Sequence, residues 1–262
     1  MTSTVYFTVT PSGPRIGAEI TGLELRHGVD PVTADQLRDA LRVHKVLVFR
    51  DQHLSPDQHV AAVSIFGEPF DHPTAQRHPD NPLVYPYRVE QTGKASHWHI
   101  GGLWRTPPFR YESLVYEEVA ELGGDTLWAD LQAAYDDLSV PLRTLLDSVG
   151  ALYDADPEHY AQGSTTNAVT RTVEHPVVRT DSGTGRKGLF LSHGALRLTG
   201  VTEAESRALL PFLLTHASSP NYTVRYGWTA GDLVIWDNQA TWHYAIDDYG
   251  TGPRAYRKVI GA

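Results

Sequence analysis

Asp232 to Ile246 reads "DLVIWDNQATWHYAI". Two short runs of branched and aromatic residues, "DLVIWD" and "TWHYAI", stand on either side of a polar break, with the length and composition of strands rather than of helices. Working outward from them, similar short strands recur between turn residues: "YRKVIGA" towards the end, and "SLVYEEV", "DTLWAD", "HPVVRT", "GLFLS" and "YTVRYGW" before. Helical inserts are expected at "ADLQAAYDDLSVPLRTLLDSV" and "TEAESRALLPFLLTHA". Many short strands with a few helices define a mainly β fold, a sandwich or jelly-roll barrel, and not an alternation of strand and helix around a parallel sheet.

The N-terminal part reads strand, strand, helix, strand, helix. "VYFTVT" and "GAEITGLEL" alternate as strands do, and "PVTADQLRDALRVH" carries apolar positions at helical spacing with Thr33 as its expected N-cap. "KVLVFR" has the length and branching of a buried strand, and "LSPDQHVAAVSIFG" opens a helix with Ser55 capping and Pro56 in the first turn. Gly183 to Gly188, "GTGRKG", matches the spacing of a dinucleotide-binding loop, but strands flank it on both sides and no helix follows, so it reads as a hairpin turn.

The 262 residues can bury a large core and are expected to form one domain, 1–262. A net charge of -9 with a sequence pI near 5.8 offers no basic stripe for a phosphate backbone, which excludes a nucleic-acid partner. No apolar run approaches the roughly 18 residues of a membrane span, and the opening "MTSTVYFTVT" lacks the layout of a secretory signal, so a cytoplasmic protein is expected, with room for a homo-oligomer. The chain has no cysteine, so any metal must be held by nitrogen and oxygen. Most of its 13 histidines, among them His27, His44, His53, His59, His159 and His216, sit among polar neighbours or on helix faces and read as structural.

Two histidines stand apart: His99, which ends "SHWH" before a Gly-Gly break, and His243 in "WDNQATWHYA". Each lies in a strand-like stretch beside turn residues, as at the mouth of a barrel. Together with "GAEITGLEL", "VLVFRDQHLSPDQHVAAVSIFGE", "DHP" at 71–73, "HWHIGGLWRTPP", "GGDTLWADLQAAYDDLS", "GDLVIWDNQATWHYA" and "PRAYRKVIGA", these segments make the chain resemble the taurine dioxygenase/2,4-dichlorophenoxyacetate dioxygenase family of Fe(II)- and 2-oxoglutarate-dependent oxygenases over nearly its whole length.

The resemblance implies a distorted double-stranded β-helix, the cupin-like jelly roll. It also implies a metal bound by an H-x-D motif and a distant histidine, with dioxygen and a small-molecule substrate as further reactants. His99 and His243 take the histidine roles. Thr126 and Arg254 would bind the distal carboxylate of 2-oxoglutarate, for which a guanidinium fork is well shaped. The family commonly has two arginines four apart, whereas here Arg254, Arg257 and Lys258 stand in "RAYRK", so Arg257 is a second candidate for the anchor. His72, His97, Tyr87 and Trp104, with Tyr85, are candidate walls of the substrate pocket, and Arg257 or Lys258 a grip for an anionic substrate such as a small amino acid, sulfonate or carboxylate.

Position 101 departs from the family. Where an aspartate is expected, "HIGG" offers Gly101 and then Gly102. Three accounts stand. Gly101 opens a coordination position for chloride, as in the iron and 2-oxoglutarate-dependent halogenases, and the reaction is radical chlorination of a C–H bond. Or the chain is a hydroxylase whose metal-binding aspartate has been substituted. Or it is a metal-free jelly roll that binds a small acid. The first is the expectation carried forward, with Fe(II), 2-oxoglutarate and chloride as cofactors.

Overall fold

The computed structural model describes residues 7–88, 96–156 and 171–262. Its first elements follow the expected order: β1 (Thr8–Pro11), β2 (Ala18–Thr21), α1 (Pro31–His44), β3 (Val46–Phe49) and α2 (Pro56–Ser64). Helix α1 starts earlier than expected, because the Asp30 side chain accepts from the backbone N–H groups of Val32 and Thr33. Pro31 then fills the first helical position, where its missing N–H is not needed. Thr33 lies in the first turn, its hydroxyl donating to the Asp30 carboxylate. At α2 the expected Ser55 cap is present, completed by Gln58 in a capping box.

The chain continues through β4 (Tyr85–Arg88), β5 (Tyr111–Glu118), β6 (Thr126–Asp130), α3 (Leu131–Asp136), α4 (Val140–Leu146) and β7 (Gly150–Asp154). It then runs through β8 (Thr172–Pro176), β9 (Val178–Thr180), β10 (Lys187–Leu189), β11 (Arg197–Thr199), α5 (Glu203–Ala217), β12 (Thr223–Tyr226), β13 (Leu233–Asp237), β14 (Thr241–Ala245) and β15 (Ala255–Gly261). The first long helical insert is divided into α3 and α4: Asp130 caps α3, Ser139 sits at the start of α4, and Pro141 in the first turn of α4 cannot donate back to a continuous helix. Gly183 to Gly188 joins β9 to β10, which pair antiparallel with Thr180 opposite Lys187, so the hairpin reading holds.

Two sheets build the barrel. The larger has seven strands in the order β1-β2-β3-β13-β5-β15-β4, the smaller three in the order β12-β6-β14. The chain crosses from one to the other in the turn between β13 and β14. Between the sheets lie Trp128, Trp236, Val46, Val48, Val234 and Tyr226, with Leu114 and Trp228 against them. Helix α1 covers the larger sheet through Leu37 and Leu41, which pack with Leu47, Phe49, Leu233 and Ile235. Helices α3 and α5 cover the smaller sheet through Ala133, Ala134, Leu213 and Ala217, around Trp242. Burial of each such large side chain contributes about 1.5–3 kcal/mol, so both sheets are fixed from outside and inside.

Alternation along the strands then decides what faces the barrel interior. On β5 the inward set is Glu112, Leu114 and Tyr116; on β15 it includes Tyr256 and Lys258, because period-two geometry sends Arg257 to the other face. Among the described residues no helix is long and apolar enough to cross a membrane.

Candidate metal and cosubstrate site

The two singled-out histidines meet. His99 and His243 exchange both backbone hydrogen bonds, each at 3.1 Å, as an isolated bridge that adds the His99 segment to the edge of β14. Residues paired in this way present their side chains on one face, and the two rings are 3.9 Å apart between centroids. His99 Nδ1 is 2.8 Å from the His97 carbonyl oxygen, which can only accept, so Nδ1 carries the proton and Nε2 keeps its lone pair. Burial pushes the His99 pKa down to about 3, with His97 adding to the effect, and lowers that of His243 as well, His99 being the next contributor. Both imidazoles are therefore neutral near pH 7, the form that binds a metal.

Gly101 is held in place by Asn238, which accepts from the Gly101 N–H at 2.9 Å and donates to its carbonyl at 2.9 Å. A β-carbon at this position would lie 2.0 Å from Glu112 Oε1 and 2.7 Å from Glu112 Cδ. A carboxylate from β5 thus lies where a side chain at position 101 would start. Glu112 is fully buried, its Oε2 is 3.7 Å from His243 Nε2, and its Oε1 is 2.8 Å from Lys258 Nζ. Neither oxygen has an aligned hydrogen-bond donor, nor does His243 Nδ1 have a partner. Gly102 has φ +75 with the Phe109 ring 2.4 Å from where its β-carbon would stand, so both backbone and space require glycine there.

Thr126 and Arg254 belong to one chain of contacts. Arg254 Nε donates to the Tyr116 hydroxyl at 2.8 Å, and its guanidinium lies within 5.3 Å, 5.1 Å and 6.0 Å of the ring centroids of Tyr116, Tyr249 and Tyr256. Tyr116 stacks on Trp228 at 4.0 Å, and Trp228 Nε1 donates to Thr126 Oγ1 at 2.9 Å. No described carboxylate is in ion-pair range of Arg254, so among the described residues this buried cation faces the rings and phenols of Tyr116 and Tyr249 and the ring of Tyr256. Arg257 lies on the opposite face of β15, its Nε 2.7 Å from Glu117 and its guanidinium donating to the Leu54 carbonyl. The structure therefore places Arg254, and not Arg257, with Thr126.

The candidate pocket walls divide. The His72 ring packs against Trp104 at 5.5 Å and Phe109 at 6.0 Å, and burial lowers its pKa to about 4, with Lys258 and then Arg105 contributing. Tyr87 stacks on Tyr256 at 5.2 Å, and its phenol pKa is raised by burial and by the Glu112 charge. The His97 ring is 4.9 Å from that of His99. Tyr85 is different: its hydroxyl donates to the Phe70 carbonyl and accepts from His72 N–H, which makes it packing. His159 lies outside the described residues. Glu112 is the residue that sequence reasoning missed.

Among the described residues no three His, Cys, Asp or Glu side chains come together as a group that could hold a metal ion. His99 and His243 bring two neutral imidazoles together, nitrogen donors that suit Fe(II), while the Glu112 carboxylate beside His243 is paired with Lys258. A jelly roll with such a set at one end of its barrel and a buried arginine set apart in an aromatic cage defines the class of metal-dependent oxygenases that use a 2-oxo acid. The chain belongs to the TauD/TfdA family of Fe(II)- and 2-oxoglutarate-dependent dioxygenases: the family model "Taurine catabolism dioxygenase TauD, TfdA family" matches residues 8–261.

Relatives and a solved structure agree. The chain is 37% identical to an alpha-ketoglutarate-dependent sulfate ester dioxygenase of Pseudomonas putida, over 96% of this chain and 88% of that one. It is 31% identical to the alpha-ketoglutarate-dependent 2,4-dichlorophenoxyacetate dioxygenase of Cupriavidus pinatubonensis, over 89% of this chain and 90% of that one. The crystal structure of a taurine dioxygenase from Burkholderia xenovorans superposes with a TM-score of 0.85 at 33% identity, covering 98% of this chain and 91% of that chain.

Proposed function

We propose that this chain oxidises a C–H bond of a small organic anion by hydroxylation, with an alkyl sulfate ester as the favoured substrate class. The observation that carries the reaction type is the carboxylate beside Gly101: chlorination needs an exogenous anion in a space that Glu112 fills. Bound iron, with 2-oxoglutarate and dioxygen, supplies the oxidising equivalent, giving succinate and carbon dioxide alongside the hydroxylated product.

The chain's own residues do the rest. His99 and His243 hold the metal, His99 oriented by the His97 carbonyl. Arg254, steadied by Tyr116, binds the distal carboxylate of 2-oxoglutarate, and the Thr126 hydroxyl adds a second contact. Trp104, Phe109 and His72 exclude water from the substrate, while Lys258 and Arg105, the two cations that act on His72, attract its anionic end. Hydroxylation of the carbon that bears a sulfate oxygen gives an unstable hydroxy sulfate ester, which collapses to an aldehyde and sulfate. The relative that acts on sulfate esters supports this class.

The experiment supplies Fe(II), 2-oxoglutarate and a series of straight-chain alkyl sulfates, and measures succinate and sulfate together. Equal yields of the two, independent of chloride, are expected. A chlorinated, sulfate-retaining product that requires chloride would overturn the reading in favour of halogenation. Absence of the visible metal-to-ligand band with anaerobic Fe(II) and 2-oxoglutarate would favour a metal-free binding protein instead.

A further inference from the structure

We infer that Glu112 sets the charge of the head group this pocket accepts, one negative charge rather than two, by cancelling one of the two cations that face the substrate. The inference rests on the functional reading above, in which the substrate is a small organic anion. The charges that act on the pocket wall His72 are those of Lys258, Arg105 and Asp71. Asp71 is tied to Arg77 at 3.0 Å in an exposed pair. Lys258 is tied to Glu112 at 2.8 Å. Arg105 remains: its guanidinium lies over the Phe70 ring at 4.2 Å and 5.4 Å from the Phe109 centroid, and among the described residues no carboxylate is in ion-pair range of it. Two cations and one carboxylate therefore face the substrate, a net single positive charge.

The position of this pair makes its charge count. Lys258 acts on His72, His99 and His243 alike, so it stands where the substrate wall meets the two imidazoles. Its ammonium has three donors on a flexible stem, and can hold a head-group oxygen while keeping Glu112. Glu112 is fully buried, so its charge is screened by protein and not by water. Gly101 gives it the room to reach Lys258, since a β-carbon there would stand 2.0 Å from Oε1. A sulfate monoester, a sulfonate or a carboxylate brings one negative charge and closes the balance. A phosphate monoester has the same tetrahedral shape as a sulfate monoester but loses its second proton near about pH 6. Its extra charge would stand uncompensated beside a buried carboxylate. Glu112 is thus the repulsive element that separates two anions which size and shape cannot tell apart.

Calorimetric titration with hexyl sulfate and hexyl phosphate tests this without turnover, under argon with Fe(II) and 2-oxoglutarate present, at about pH 8 where the phosphate is a dianion. The proteins compared are wild type, E112Q and the double variant E112Q/K258M, which removes the buried pair as a unit. Wild type is expected to bind the sulfate more tightly than the phosphate by about tenfold or more. E112Q keeps the shape of the side chain and leaves two uncancelled cations, so the ratio should shift towards the phosphate by about tenfold or more, as one unit charge at close range in a protein is worth at least that. E112Q/K258M returns to the single charge of Arg105 and should prefer the sulfate again, with both anions held less tightly than in E112Q. If wild type binds both anions alike, if E112Q keeps the wild-type ratio, or if the double variant prefers the phosphate, the inference fails while sulfate binding leaves the functional reading standing. If none of the three proteins binds hexyl sulfate, the substrate class of that reading fails and the inference with it.

Discussion

Asn238 lies in the turn between β13 and β14, fully buried, and its side chain ties three backbone groups together. It accepts from Gly101 N–H at 2.9 Å and donates to the carbonyls of Gly101 at 2.9 Å and Phe109 at 3.1 Å. These bonds fasten the segment that carries His99 to the turn that precedes His243. In Asn238→Ala all three are lost, and the enclosed Phe109 carbonyl cannot regain water. At a net 0.5–1.5 kcal/mol per hydrogen bond the loss is about 1.5–4.5 kcal/mol, centred near 3 kcal/mol. For a chain of this size that corresponds to a fall of roughly 6–12 °C in Tm, at about 2–4 °C per kcal/mol. Urea unfolding checks the value, with a shifted midpoint at unchanged slope expected. Asn238→Asp should be no better, because a carboxylate keeps the contact with Gly101 N–H but faces two carbonyls. A loss below about 1 kcal/mol for Asn238→Ala would refute the reasoning, since enclosed groups left unpaired cost at least that much each.

Tyr116→Phe removes the hydroxyl to which Arg254 donates and should raise the KM for 2-oxoglutarate by roughly tenfold, about 1.4 kcal/mol, with kcat little changed in a succinate assay. Arg257→Ala is the control: it faces Glu117 and Leu54 on the outer side of β15, so the same KM should not move. His59 is fully buried, 2.8 Å from the Ser113 hydroxyl, and burial, with Arg257 adding to it, lowers its pKa to about 3. Below the ordinary value of about 6.5 the unfolded chain takes a proton that the folded chain refuses, so stability falls between about pH 6.5 and pH 3, by up to ~1.4 kcal/mol per pH unit. His59→Gln should flatten that slope by one proton while leaving the pH dependence above pH 7 unchanged; an unaltered slope in urea unfolding from pH 7 to pH 4 would mean that His59 is charged in the fold.

What could be read along the chain was local. "DLVIWD" and "KVLVFR" announce buried strands, and they pair as β13 and β3 with Ile235 opposite Leu47. Ser55 and Gln58 announce a capping box, and the acid that caps α1 lies three residues upstream of Thr33, since Thr33 and Asp30 are both good caps and only the helix start separates them. The histidine pair could be named because each sits in an unusual setting, and the strand pattern put both near turns. Whether Arg254 or Arg257 joined Thr126 was also a local question, answered by alternation once β15 is known to be a strand.

Glu112 was not legible in this way. Its neighbours in the sequence, "YESLVYEE", show a polar residue on the same face as Leu114 and Tyr116, which reads equally as a strand end turned to solvent. What distinguishes it is what lies across the sheets: Gly101, His243 and Lys258, of which the last two are over 130 residues away. Periodicity reports which face a side chain takes and is silent about what faces it. The same limit applies to Gly101. A missing side chain in the sequence looks like empty space, but interiors are packed to crystal density, and a glycine there more often marks where another group comes close than where nothing is. The informative sequence signal was therefore the conjunction: a glycine where the family has an acid, and an acid near the start of a strand on the face that carries Leu114 and Tyr116. Each excuses the other only if they touch, and at 2.0 Å from a would-be β-carbon they do.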